Sequence, residues 1–293
     1  MSSTTTKPPS TRKALVNALL AWIIMALSLS AGVTLSNLAT QYVSLPDTGR
    51  FLLQAVIVLA VALSGVSFVL HKQGKSLTEI DVVLQELPKT FTLGLLVAVL
   101  IGIASWTPAF FVGWLELTQL RWNDFFIFLI VNTLVLVAYE AFPEEITLRG
   151  LGWSSLNNAW STRWATTVTL VLFLFTAGTA STFTWLFSSL LGIEATAPTL
   201  FPGDPIIYVV QLSLFHIALT QARQIPMRGA VGIAIGFHLG QLSVVRILFN
   251  SLPWLNSGWD VAWHSEWALL LVLVHIILSA LIFHLIARRL RNI

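Results

Sequence analysis

Eight stretches of this chain are apolar over a length that crosses a lipid bilayer, and no other feature of the sequence restricts its fold so strongly. A helix covers the hydrocarbon core with about 20 residues. Runs of that kind fall near 14–36, 51–71, 89–112, 123–143, 163–191, 206–222, 228–250 and 266–287. Backbone polar groups in lipid must satisfy one another, so runs of this length become helices. The expected fold is therefore all-α, a polytopic transmembrane helix bundle of about eight spans with the lipid bilayer as its main solvent. Charged residues are only 10% of the 293 positions, which leaves no room for a sizeable soluble domain. The weakest run is 206–222, which is short and carries Gln211 and His216.

Basic residues orient the spans. With the N-terminus in the cytoplasm, 13 of the 16 Lys and Arg residues fall on the cytoplasmic side, and Arg50, Arg121 and Arg246 fall outside. That split places both termini in the cytoplasm. It also accounts for the pI near 9.5 without an anionic partner, and no nucleic-acid signature is present. The apolar run after residue 13 is too long for a signal-peptide core, so it reads as a retained first span. The expected membrane is the plasma membrane of a bacterium or an equivalent organellar membrane.

The chain divides into a polar cytoplasmic tail at 1–13, accessory spans over 14–122, a core over 123–250, and a Trp-rich outer loop with the last span over 251–293. Within the accessory part, Ser76-Leu-Thr-Glu79 has the form of a capping box and opens an amphipathic stretch. A helix lying on the cytoplasmic surface is expected near 76–87. Trp106, Trp114 and Trp122 flank one outer turn and Trp254, Trp259, Trp263 and Trp267 crowd another, as interfacial belts do.

Ionisable residues at membrane depth mark the place to look for function. Glu140, Glu144, Glu145 and Arg149 gather at the end of the fourth span, and His216, His238, His275 and His284 lie in later ones. Glu145 and Arg149 are four apart with the acid first, a spacing that pairs them on one helix face. Glu144 is turned away from that pair by about 100° and is the freer base. Glu140 shares its face if the helix continues through Pro143; otherwise Pro143 starts a new helix with both acids in its first turn. His238 stands between Gly236 and Gly240, with Gln241 three residues on. The chain has no Cys, so any divalent metal such as zinc would take carboxylate and imidazole ligands, with Glu144, Glu145 and His238 as the candidates.

Glu144-Glu145-Ile-Thr-Leu-Arg149-Gly150 has an EExxxRG form that resembles the CAAX-protease and bacteriocin-processing family, also called Abi, which includes the type II CAAX prenyl endopeptidases. A basic turn, Ala222-Arg-Gln-Ile-Pro-Met-Arg-Gly229, leads into the helix of His238 as in that family, and the resemblance covers roughly 123–250. It implies an intramembrane endopeptidase. Glu144 would activate water, Glu145 would orient, Arg149 would be its ion pair and His238 the late histidine. The site would open toward the cytoplasmic half of the membrane, and the substrate would be a membrane-associated peptide or protein, prenylated in some members. Two positions depart from the pattern. Ala177 stands where the middle motif has His, and Leu242 where the late motif has Asn, with Gln241 the nearest amide. His216 is the candidate to replace the middle histidine. Two other readings compete: a catalytically impaired member serving as a membrane scaffold or immunity protein, and a proton-coupled transporter.

Overall fold

The computed structural model describes residues 10–292, so most of the tail at 1–13 lies outside the described residues. Each of the eight apolar runs is a helix: α1 (Thr11–Thr40), α2 (Asp47–Lys72), α3 (Leu87–Phe111), α4 (Trp122–Asn157), α5 (Thr162–Leu190), α6 (Pro205–Arg223), α7 (Val231–Phe249) and α8 (Glu266–Arg291). The protein is an integral, multi-pass, all-α bundle. The short run is a full helix, started by Pro205 and by Asp204, whose carboxylate accepts from the backbone N–H groups of Ile206 and Ile207 at 2.8 and 3.0 Å.

Pro143 does not divide α4. The helix widens to π-helical turns at Val137–Ala141 and Glu145–Trp153 on either side of it. Proline lacks an N–H and crowds the carbonyl four residues back, and a locally wider turn accommodates both defects. Gly150 and Gly152 let this thickened segment lie flush on its neighbours: a Cβ at Gly150 would stand 3.1 Å from Ile80, and one at Gly152 would stand 3.4 Å from Ala21 of α1.

At the centre is α7, of whose most apolar stretch 67% is buried. Its glycines press against α3: a Cβ at Gly236 would collide with the Phe91 carbonyl, and one at Gly94 with that of Ile233. Two backbones touch, as small residues permit in membranes, where dispersion and close approach replace the hydrophobic effect between helices.

Two expectations need correction. No surface helix forms at 76–87. Instead a single 3-10 turn at Leu77–Ile80 is followed by Asp81 in the left-handed region, with φ 66°. Ser76 bonds Thr78 at 2.7 Å rather than capping Glu79, Ile80 and Val82 are buried among α1, α2, α4 and α7, and Val83 is buried beside Gly229. Burial of those side chains and a tertiary partner for Asp81 outweigh the local capping signal. Arg246 lies inside α7, as the run 228–250 places it. Its Nη2 donates to Glu140 at 2.8 Å and its Nη1 to Asn132 at 2.9 Å, so a partner holds it in the bundle. Trp106 is buried at the outer end, edge-on to Phe249 and Trp263, rather than sitting in an interfacial belt.

The outer loops also hold a two-stranded antiparallel sheet that the helical pattern did not foretell. Strand β1 (Leu115–Leu120) pairs with β2 (Trp259–Trp263), Leu115 opposite Trp263 and Leu120 opposite Trp259. Arg121 locks it by donating to Asp260, Asp124 and Asn256 at 2.7, 2.9 and 2.9 Å.

The α3–α7 contact predicts that Gly236→Ala lowers stability by about 1–3 kcal/mol through overpacking. Thermal unfolding in detergent checks this, with Gly49→Ala as a near-neutral comparison because its Cβ would meet Pro46 no closer than 3.4 Å.

Candidate active site

The π-helical turns of α4 carry Glu145 and Arg149 into the interior, where neither is exposed at all. Arg149 Nη1 lies 3.4 Å from Glu145 Oε1, the pairing that their spacing predicts. The same oxygen lies 3.2 Å from His238 Nδ1 on α7. A carboxylate only accepts, so Nδ1 carries the proton and the Nε2 edge of His238 is left for other partners. On its other side Arg149 Nη2 donates to His216 Nδ1 at 3.0 Å, and its guanidinium lies 4.3 Å over the Phe173 ring. Arginine only donates, so His216 Nδ1 accepts, and Nε2–H is directed to the Thr166 carbonyl at 3.2 Å. One buried cation thus joins α4, α5, α6 and α7.

Glu144, one residue before this network, has no side-chain hydrogen bond among the described residues. It faces a cavity of about 210 Å³ that Glu140, His238, Gln241, Ala177 and Leu242 also line. Glu140 and Glu144 therefore do share a face, but Arg246 neutralises Glu140, and Glu144 remains the unpaired acid. Gln241 is 1% exposed, and both atoms of its amide lack a partner. Such a group is costly to bury unless something in the cavity completes it.

His216 does not reach this cavity; it is fixed behind Arg149, on the far side of Phe173. The place beside Ala177 is left open rather than refilled by imidazole or by apolar side chains. His275 Nε2–H donates to the Ala98 carbonyl, 2.8 Å away, and His284 is exposed, so neither joins the site. The cavity also does not extend toward the helix ends that carry the chain termini, the side on which the sequence reading expected it to open. On that side Ile146 and Leu151 of α4 pack with Ile80 and Val82, whereas Leu29, Tyr208 and Gln211 extend the cavity toward the helix ends opposite the termini.

Glu144, Glu145 and His238 bring ligand atoms within 4.8 Å of one another. Zinc bonds of about 2.0–2.2 Å require the ligands of one ion to lie about 3.3–3.6 Å apart. Glu145 Oε1 is already shared by Arg149 and His238; Oε2 is buried without a partner, but a dication on it would stand against the guanidinium. The repulsion makes the donor set a poor fit to a metal.

Two residues that the sequence reading passed over support the site. Arg246 anchors Glu140, and its position inside an apolar run was the available signal. Asp81 accepts from the backbone N–H groups of Gly229 and Ala230, both at 2.8 Å, and from Arg223 at 2.9 Å, which ties down the turn leading into the helix that carries His238. No local pattern marks it. Loss of these bonds in Asp81→Ala is expected to cost about 1–3 kcal/mol, with Asp81→Asn retaining part of them, both read as thermal unfolding in detergent.

No family model matches the chain, and neither a curated protein nor a solved structure matches it.

Proposed function

We propose that the protein is a glutamate-dependent intramembrane endopeptidase of the CAAX-protease-like type, acting on a membrane-associated peptide or protein. The observation that carries this reading is the division between two adjacent acids. Glu145 is held through Oε1 by Arg149 and His238, while Glu144 stands unpaired in a cavity with His238 and Gln241. Glu144 takes a proton from water as the oxygen bonds to the peptide carbonyl carbon. The Gln241 amide is the donor for the oxyanion that forms. As the C–N bond breaks, Glu144 returns the proton to the leaving amine, which gives a new carboxylate and a new N-terminus. His238, held in one tautomer by Glu145, positions the water through Nε2.

A non-catalytic scaffold or immunity protein is the second reading, favoured by Ala177, since no imidazole occupies the space beside it. The test is reconstitution with a library of membrane-tethered peptides in H2(18)O, read by mass spectrometry. Cleavage with solvent oxygen in the new carboxylate is expected for the native protein, with a loss of about 10² to 10⁴ in Glu144→Gln. No cleavage by the native protein, or equal cleavage by the variant, overturns the reading. The poor fit to a metal predicts unchanged cleavage in the presence of a chelator.

A further inference from the structure

A second cavity, of about 450 Å³, adjoins the first and shares Leu29 and Ala177 with it. One stripe of each bordering helix lines it: Leu29, Val33 and Asn37 of α1, and Ala177, Ser181 and Ser188 of α5. On both helices these residues step toward the ends opposite the chain termini, at Thr40 and Leu190. The loop after α5 rims the far end. Leu200 packs so tightly on Gly178 that a Cβ there would meet its carbonyl at 2.5 Å, and Thr199 N–H donates to Ser181 at 3.2 Å. Folded back in this way, the loop sets Glu194 and Thr196 at the mouth.

The lining is unsuited to an acyl chain. Ser188 Oγ at the outer end and both amide atoms of Gln241 at the inner end are buried without partners. Hydrocarbon would leave them so, at a cost of about 1–3 kcal/mol each. An extended peptide offers alternating N–H and C=O groups along its length. From Ala177 to Ser188 the helix rises about 16 Å, which about five residues of extended chain would span. The acids on the two linings are Glu140, Glu144 and Glu194, and no Lys or Arg is among them.

We propose that this groove is the substrate path, taking a neutral or basic extended peptide from the non-cytoplasmic face and leading it to Glu144. The proposal rests on the endopeptidase reading, but its test does not require turnover. The chain has no Cys, so single cysteines report cleanly. Thr184→Cys and Ala177→Cys are placed in sealed vesicles whose orientation is fixed by a tag on the N-terminus. Impermeant cationic and anionic methanethiosulfonates are then added to either side.

Both cysteines are expected to react from the side opposite the tag, the cation several-fold faster at Ala177→Cys. Val171→Cys, 47% exposed on the outer surface of α5, should stay unreactive. A short Lys-Ala peptide added on that side should slow labelling at Ala177→Cys several-fold, and its Glu-Ala counterpart should not. Labelling only from the tagged side, no labelling in variants that keep the native unfolding midpoint, or no protection by the Lys-Ala peptide overturns the proposal. If these results hold while no peptide is cleaved, the endopeptidase reading fails and the path stands.

Discussion

The guanidinium of Arg149, sealed in the bundle between Glu145 and His216, is the constraint on which the rest of the site depends. A buried cation without a partner is far more costly than the pair, so Arg149 fixes the position of Glu145, which in turn fixes the tautomer and orientation of His238. The Phe173 face adds a cation–π contact from α5, and His216 closes the fourth side. Two histidines of similar appearance in the sequence therefore have different work. One is a neutral acceptor that supports Arg149, and the other is held by a carboxylate with its remaining nitrogen free for the cavity. Glu144 is left unpaired because its neighbour, Glu145, is the carboxylate that stands against the cation.

That network needs α7 to be close and correctly placed. The glycine contact with α3 brings α7 to the centre, and Asp81 secures the turn that leads into it from a loop nearly 150 residues away in the chain. The same loop packs on the α4 segment that follows the acids, through Ile80 and Val82. What remains open leads the other way, between Leu29, Val33 and Asn37 of α1 and Ala177, Ser181 and Ser188 of α5.

The spans were legible because lipid demands uninterrupted apolar length, and the Glu145–Arg149 pair was legible because helical spacing survives the wider π turns. Features set by partners distant in sequence were not legible. Arg246 looked like an orienting charge until Glu140 was found beside it, and His216 looked free to enter the cavity until Arg149 was found to hold it. The capping-box pattern at Ser76 was overruled by burial of Ile80, Val82 and Val83. Hydropathy gives the depth of a residue but not which side of its helix faces a cavity. The cavity therefore extends toward the helix ends opposite the termini, and not toward the ends where the family resemblance led one to expect its opening.

The central claim is that two adjacent acids divide structure from chemistry. Thermal unfolding of Glu144→Gln and Glu145→Gln, side by side in one detergent, tests it most directly. Removing the Glu145 charge leaves Arg149 uncompensated and should cost about 3–5 kcal/mol, lowering the midpoint by several degrees, while Glu144→Gln should keep the native midpoint or exceed it. Equal losses in the two variants, or a larger loss in Glu144→Gln, would contradict the account.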